Sequence, residues 1–128
     1  MTDKELYLIA ESMLPKAYAP FSEFHVGAAL LTTDGEVFTG VNIENSSFGA
    51  TICAERTAFV KAISEGHRDI VTIAIACNSG EALPCGICRQ FMYEFSDTLR
   101  IVTGADSEHL RVHTIEELLP EGFRLRKG

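Results

Sequence analysis

The sequence is short of basic residues and has no long apolar run. Only 11 lysine and arginine residues stand against 18 aspartate and glutamate residues, so the formal net charge is −7. A protein that binds a phosphate backbone needs a basic face, and the shortage of positive charge argues against that class. The lack of an apolar run long enough to span a bilayer argues against a membrane protein. Neither absence argues against a small neutral ligand.

The chain also lacks internal repeats, low-complexity tracts and linker-like segments. Its 128 residues and 46% hydrophobic content predict one packed domain over residues 1–128. The first residues, MTDKELYLIAESM, are amphipathic and acidic, unlike a secretory or transit signal. We therefore expect a cytoplasmic protein. In a reducing compartment, its four cysteines indicate a metal site or catalysis before disulfides.

Hydrophobic periodicity predicts strands interleaved with helices. Thr2 and Glu5 form a capping-box pattern for a first helix that should kink or end near Pro15. HVGAALLT and EVFTGVNI, joined by TDG, predict a β-hairpin. Further elements are expected as strands at IVTIAIAC and LRIVTG and as helices over 53–65, over 85–95 and after Thr114. This alternation is typical of an α/β domain with helices on both faces of a central sheet.

A Cys-x-x-Cys pair, LPCGICRQF, lies at the start of one predicted helix. Residues three apart on a helix share a face, so Cys85 and Cys88 can bind one ion. Cys53 begins another predicted helix and could complete a three-thiolate set if the two helix starts converge. Helix N-termini favour anions and lower thiol pKa values. Three protein ligands on tetrahedral zinc leave one position open for water, which is the arrangement of catalytic zinc sites.

Two charged residues follow Cys53 closely. Glu55 can reach a metal-bound water without being a ligand, so it suits a general acid–base role. Arg56 shares a helix face with Cys53 and could donate to the sulfur atoms, offsetting the excess negative charge of three thiolates. Two alternatives are a structural zinc half-site and a redox pair. A structural site needs a fourth protein ligand, which no other cysteine or histidine is placed to supply, and a redox pair leaves Cys53-Ala-Glu unexplained.

The segments TICAER and PCGICRQ together resemble the zinc motif of cytidine deaminases, in the small homotetrameric branch of that family. AYAPFSEFHVGAALLT, NIENSSFGATICAER and EELLPEGF are similar to the same family in the same order. The resemblance implies a three-layer α/β/α sandwich with a mixed five-stranded sheet. It also implies one zinc ion per chain, held by Cys53, Cys85 and Cys88. The implied reaction is hydrolytic deamination of cytidine and deoxycytidine to uridine and deoxyuridine with release of ammonia.

The same resemblance implies roles for residues around the nucleoside. Glu55 would carry protons to ring N3 and to the leaving amino group. Phe123 would reach the pocket of a neighbouring subunit, which implies a homotetramer with shared active sites. The remaining contacts implied are Phe24 and the backbone of Ala54 at the base, and Asn42 and Glu44 at the ribose. An amide beside a carboxylate suits a sugar hydroxyl, which both donates and accepts.

Three other functions can be compared with this one. A nucleic-acid deaminase could carry the same zinc motif, but it would need a basic groove. A blasticidin-type aminonucleoside deaminase shares fold, metal and mechanism, and the pair Asn42 and Glu44 favours ordinary nucleosides over it. A zinc-stabilised interaction domain without activity would leave Glu55 without a purpose.

Some positions differ from the family pattern. Phe48 stands where many relatives have tyrosine, and Leu83 replaces a small polar residue before Pro-Cys. The four histidines show no ligand spacing and are expected to be solvated, as is the RLRKG tail. These differences bear on substrate range and loop shape rather than on the reaction.

Overall fold

The computed structural model describes residues 1–125. Its strands are β1 Val26–Thr32, β2 Val37–Val41, β3 Ile70–Cys77, β4 Arg100–Gly104 and β5 Leu110–Thr114. Its helices are α1 Asp3–Ser12, α2 Ala54–Ser64, α3 Gly86–Tyr93 and α4 Ile115–Leu118, with 3₁₀ turns at Leu14–Lys16 and Phe48–Ala50. The five strands form one sheet in the order β2-β1-β3-β4-β5. Only β3 and β4 pair in parallel, so the sheet is mixed.

Helices cover both faces of the sheet. On one face, side chains of α1 pack on small residues of the central strands: Leu6, Tyr7 and Ala10 meet Ala29, Ala74 and Ala76. On the other face, α2 and α3 bury larger side chains: Phe59 and Met92 pack with Ile73, Ile75 and Ile101. Because alternate residues of a strand point to opposite faces, each central strand serves both clusters. The predicted α/β/α sandwich and its mixed five-stranded sheet are confirmed.

The local patterns at the first helix and the hairpin are confirmed. The Thr2 hydroxyl accepts from the Glu5 backbone N–H, and the Glu5 carboxylate accepts from the Thr2 backbone N–H. Pro15 lies in the 3₁₀ turn just after α1, where a missing N–H is tolerated. The turn between β1 and β2 contains Gly35 at φ +89°, a conformation that favours glycine.

Three expectations differ from the structure. The strand β5 was not predicted from the hydrophobic pattern, because it has five residues at the sheet edge and Val112 is 47% exposed. Helix α3 ends at Tyr93, two residues early, and the Phe95 N–H bonds back to Met92. His113 is 9% exposed rather than solvated, because β5 places it opposite the buried Ile101, and its Nε2 lies 3.2 Å from the Thr103 hydroxyl.

The chain after α4 returns to α3. The Gln90 side-chain amide donates to the Phe123 carbonyl over 3.0 Å. Arg124 donates to Asp97 over 3.1 Å, and its guanidinium lies 4.7 Å from the centre of the Tyr93 ring. The expectation of a solvated tail is therefore wrong for Arg124. The last three residues of that tail, 126–128, lie outside the described residues.

The helices are short. The longest in the described part of the chain, α2, has 11 residues, whereas a membrane-spanning helix needs about 20. Among residues 1–125, no helix has the length and apolar character to cross a bilayer.

Candidate metal centre and active site

The starts of α2 and α3 converge, as the cysteine spacing predicted. The Sγ atoms of Cys53 and Cys85 are 3.7 Å apart, and those of Cys85 and Cys88 are 3.4 Å apart. All three sulfur atoms lie within 4.8 Å of one another. A tetrahedral zinc ion with Zn–S bonds of about 2.3 Å separates its thiolates by about 3.8 Å. The cysteines are free, so the cluster fits one zinc ion and not a disulfide.

Each of these helices has a cysteine at its N-cap. The Cys85 sulfur accepts from the Cys88 backbone N–H over 3.5 Å, whereas the Cys53 side chain makes no capping hydrogen bond. Backbone N–H groups at a helix start carry partial positive charge. Two such starts therefore favour negative charge at the place where the three sulfur atoms meet.

The sulfur atoms influence one another strongly. A hydrogen bond from Cys88 lowers the pKa of Cys53 to about 5 against the effect of burial, and Arg56 and Cys85 add to the shift. The same hydrogen bond, together with burial, raises the pKa of Cys88. Negative charge at Cys53 thus opposes deprotonation of Cys88. A divalent cation bound between the sulfur atoms would remove that opposition, as metal binding to thiols requires.

Arg56 lies against this cluster, as its spacing from Cys53 predicted. Its Nη2 atom is 3.9 Å from the Cys53 sulfur and 3.4 Å from the Thr51 carbonyl oxygen. Although burial opposes the charge, hydrogen bonds to Cys53 and Cys88 raise the pKa of the guanidinium. Its Nε atom is buried and has no hydrogen-bond partner among residues 1–125. A buried donor beside three sulfur atoms suits a thiolate set that holds a metal.

Glu55 lies in the first turn of α2 and is 4% exposed. Burial raises the pKa of its carboxyl group to about 7, and the nearby Cys53 contributes in the same direction. A carboxyl group that titrates near neutral pH can both accept and release a proton during a reaction. Its position beside the cysteine cluster, together with this pKa, is what a proton shuttle needs.

A cavity of about 210 Å³ opens beside Glu55. Its walls include six of the residues singled out from the sequence: Phe24, Asn42, Cys53, Ala54, Glu55 and Cys85. Leu83, one of the departures from the family pattern, also lines it. A second hollow shares Thr51 with the first and is lined by Phe21, Glu44, Asn45 and Phe48. The structure therefore brings most of the proposed site residues to two adjoining hollows.

The side chains of Asn42 and Glu44 already hold backbone in place. Asn42 accepts from the Val26 N–H over 2.9 Å and donates to the Phe24 carbonyl over 2.7 Å. Glu44 accepts from the Phe21 N–H over 2.9 Å and from the backbone and hydroxyl of Ser22. The Ser22 hydroxyl is the main reason that the pKa of Glu44 is lowered, against the effect of burial. Their predicted contacts with a ribose would have to use the hydrogen-bonding capacity that remains.

Phe123 does not line the cavity of its own chain. Its side chain is exposed, with 66% of the residue accessible, and Gln90 holds its carbonyl. Within one chain, Phe123 therefore does not contact the cavity beside Glu55.

Comparison with known proteins agrees with this geometry. The family model for the cytidine and deoxycytidylate deaminase zinc-binding region matches residues 1–105. The chain belongs to this family. It is 50% identical over 110 residues to the cytidine deaminase of Halalkalibacterium halodurans, covering 84% of this chain and 83% of that protein. It is 46% identical over 116 residues to a probable cytidine deaminase of Dictyostelium discoideum, covering 89% and 78%.

A solved structure supports the same conclusion. The cytidine deaminase of Burkholderia pseudomallei superposes with a TM-score of 0.91 at 44% identity, over 96% of this chain and all of that one. The resemblance of the motifs to those of cytidine deaminases is thus confirmed. Since the matched region is a zinc-binding one, Cys53, Cys85 and Cys88 form the cluster suited to hold that ion.

Sequence reasoning missed several residues of this deaminase site. Thr51 lines both hollows and accepts from the Asn45 N–H over 3.2 Å, and the Ser22 hydroxyl donates to Glu44, which lines the second hollow. Arg89 donates to the Pro84 carbonyl over 2.7 Å and to the Leu118 carbonyl over 2.9 Å. Only Arg89, inside the cysteine motif, carried a sequence signal; the others act through partners that no local spacing indicates.

Proposed function

We propose that the chain is a cytidine deaminase, which hydrolyses cytidine and deoxycytidine to uridine and deoxyuridine and releases ammonia. The observation that carries the proposal is the buried carboxyl group of Glu55 beside three converging cysteines, in the wall of a cavity. The relatives named cytidine deaminase over most of the chain support this substrate. None of those relatives favours the blasticidin-type alternative.

Cys53, Cys85 and Cys88 would hold one zinc ion per chain. When bound, that ion would supply the Lewis acidity that activates water at neutral pH. Arg56 stabilises the negative charge of the sulfur atoms through its 3.9 Å contact with Cys53.

Glu55 moves the protons of the reaction. Its carboxylate takes one proton from the attacking water and passes it to ring N3. After the C4–O bond has formed, the carboxylate takes the proton of the new C4 hydroxyl and gives it to the amino group, so that the C4–N bond breaks, ammonia leaves and C4 keeps a carbonyl oxygen. Burial, which holds its pKa near 7, lets the same group act as base and then as acid. The backbone at Ala54 and the ring of Phe24, both in the cavity wall, orient the base for this transfer.

Asn42 and Glu44 bind the ribose. The second N–H of the Asn42 amide and the remaining lone pairs of Glu44 serve the sugar hydroxyls. Because the same side chains fix the backbone of Phe24 and Phe21, ribose binding and the shape of the base pocket are linked.

The enzyme assembles as a homotetramer with shared active sites, and it is a single cytoplasmic domain. Exposed apolar side chains support an assembly: Phe21, Phe48, Leu83, Ile87 and Phe123 are between 46% and 79% exposed. Exposed apolar patches mark surfaces that contact other molecules, and here we propose other copies of the chain. In this arrangement Phe123 covers the pocket of a neighbouring chain.

An ultraviolet assay of the purified protein with cytidine, deoxycytidine, blasticidin S and a short single-stranded DNA tests the reaction. We expect turnover of the first two only. Turnover of blasticidin S but not of cytidine would show a blasticidin-type aminonucleoside deaminase. Turnover of DNA alone would show a nucleic-acid deaminase.

Mixing two impaired variants tests the shared site, since Phe123→Ala should weaken substrate binding and tetramer stability and Glu55→Gln should lose turnover. Chains carrying Phe123→Ala and chains carrying Glu55→Gln are refolded together, so that some sites combine an intact Glu55 with an intact Phe123 from a neighbour. Activity above the diluted sum of both parents is expected. Leu125→Ala, which removes a side chain that is also exposed, is the control for Phe123→Ala and should leave activity unchanged. Mixtures that give only the diluted sum would disprove a contribution from Phe123 across the interface.

A further inference from the structure

The loop between β3 and α3, residues 78–84, leads directly to Cys85. Its first residue is tied to the chain before β1, because Asn78 and His25 exchange hydrogen bonds of 3.1 Å. Its last residue is tied to α3, because Arg89 donates to the Pro84 carbonyl. Between them, the Cys77 thiol lies 3.4 Å from the Ser79 carbonyl and 3.2 Å from the Gly80 carbonyl, and the Glu81 side chain ties the loop to the far edge of the sheet.

Glu81 reaches across the last two strands of the sheet. One carboxylate oxygen accepts from the Thr103 hydroxyl, and the other accepts from Arg111 Nη1 over 2.9 Å. Thr103 in β4 and Arg111 in β5 are paired in register, so Glu81 bridges both strands on one face. That face also carries Ile101, which belongs to the cluster packed against α2 and α3.

The contact lies in a protected place. Thr103 is fully buried, and only 21% of the Glu81 side chain is exposed. The Thr103 hydroxyl, with further help from Arg111, holds the pKa of Glu81 below its usual value although burial opposes the shift. Burial and two partners distinguish this carboxylate from the exposed ones elsewhere on the surface.

We propose that Glu81 is a positioning residue for the metal centre, holding the loop so that the sulfur atoms of Cys85 and Cys88 stay in ligand geometry. The segment that transmits its position is packed: Ala82 and Pro84 are buried, and the proline ring restricts the backbone. Ala82 and Leu83 also line the cavity, so the same contact shapes its wall. The inference rests on the proposed function only in taking zinc as the bound ion.

Loss of the Glu81 carboxylate should release the loop without unfolding the domain. In Glu81→Ala the buried Thr103 hydroxyl still has His113 Nε2 at 3.2 Å as a partner. Groups that orient metal ligands from outside typically change metal affinity by roughly 10–100-fold. We therefore expect zinc to leave Glu81→Ala at least about tenfold faster than the wild type.

The experiment follows zinc release from the purified holoprotein to a chromogenic chelator. In parallel, the cobalt(II)-substituted protein gives the absorption bands of the metal–thiolate centre. Glu108→Ala is the matched control, since it removes an exposed carboxylate that pairs with Lys4 at 2.6 Å outside the metal centre. Glu81→Gln keeps an oxygen that can accept from Thr103 and should restore most of the zinc retention.

Two readouts separate positioning from general stability. A contact that only stabilises the fold would lower the melting temperature and leave the cobalt spectrum and zinc release as in Glu108→Ala, and that result would overturn the proposal. If Glu81→Ala does not fold, Thr103→Val removes the same hydrogen bond and decides by the same measurements. Neither readout requires turnover, so a failure to deaminate cytidine would leave this result interpretable.

Discussion

The four α-helices within residues 1–125 begin in two different ways. α1 and α4 begin with capping boxes, in which Thr2 pairs with Glu5 and Thr114 pairs with Glu117. α2 and α3 begin instead at Cys53 and Cys85, and only the latter makes a weak capping bond through sulfur. A good N-cap stabilises a protein by about 0.5–2 kcal/mol. The two helices at the metal centre lack most of this stabilisation, because their N-cap position is occupied by a cysteine that can bind the metal.

Acidic residues in the first turns show the same contrast. In α1, Glu5 is exposed and hydrogen bonds from Thr2 lower the pKa of its carboxyl group. In α2, Glu55 occupies a similar place in the helix but is buried, and its pKa rises to about 7. One residue type at one kind of position thus has opposite pKa shifts, because its partners and its burial differ.

Removing a ligand should give the largest effect. Cys53→Ser places a favoured N-cap residue at the start of α2, so the helix should form while zinc binding and activity are lost. Cys77→Ser makes the same change at a cysteine outside the cluster and should keep about one zinc per chain. Metal analysis, circular dichroism and the deamination assay together measure this. A Cys53→Ser protein with full zinc content would contradict the ligand assignment.

The next effect concerns the buried acid. Glu55→Gln keeps the size of the side chain but cannot carry protons, so turnover should fall by at least ~10²–10⁴-fold with zinc retained. Glu5→Gln, at the exposed start of α1, should leave turnover within about twofold, as surface changes do. Initial rates and metal content of both variants are the measurement. Activity within tenfold of the wild type would exclude Glu55 as the shuttle.

Arg56→Gln should be milder. The variant should hold zinc, because no ligand is removed, but turn over more slowly. Without the guanidinium, negative charge near Cys53 is less stabilised, so proton loss at the site needs higher pH. The acidic limb of the pH–rate profile should therefore move to higher pH. An unchanged profile with an unchanged rate would show that Arg56 has no influence on the centre.

Removing the N-cap of helix α1 should lower the stability of the protein and leave its metal centre unchanged. Thr2→Ala removes the hydroxyl that accepts from Glu5 over 3.1 Å and should reduce the free energy of unfolding by about 1 kcal/mol. Zinc content and turnover should not change. Denaturant unfolding measures the free energy of unfolding, and metal analysis and the deamination assay measure zinc content and turnover. A loss of zinc in this variant would mean that the two kinds of helix start are not independent.

The smallest effect should be pH-dependent. Arg100 donates to Asp3 over 2.7 Å and is the main reason that the pKa of Asp3 lies below its usual 3.8. A lowered folded-state pKa stabilises the protein above the unfolded value, and that contribution disappears as pH falls through the folded value. Asp3→Asn should thus cost about 0–1 kcal/mol at neutral pH, since the pair is partly exposed. The difference from the wild type should shrink in unfolding experiments below about pH 4, and a difference that grows in acid would contradict it.

Much of the site could be predicted from the sequence because its signals are local. Cys85 and Cys88 are three residues apart on one helix, and Glu55 follows Cys53 by two, so their spacing alone indicated a shared ion and a nearby acid. The capping boxes and the β1–β2 hairpin are also local, since their partners lie within a few residues. Such features depend on interactions between residues that are close in sequence, so they can be predicted without knowledge of the tertiary structure.

Other features could not be predicted because their partners are far apart in the chain. The strand β5 is defined by its pairing with β4, which places His113 opposite Ile101 and its Nε2 3.2 Å from the Thr103 hydroxyl. The contact of Glu81 with Thr103 joins residues 22 positions apart. No spacing rule relates such positions, so their roles emerge only when the strands are side by side.

By itself, the sequence determined the residue types that can hold zinc and move a proton, and the helix starts that carry them. The tertiary structure decided that the two starts meet, with the Cys53 and Cys85 sulfur atoms 3.7 Å apart. It also decided the protonation behaviour of Glu55, since burial, with a contribution from Cys53, raises the pKa of its carboxyl group to about 7. Chemical identity is fixed residue by residue, whereas distance and desolvation depend on how the whole sheet and its helices pack.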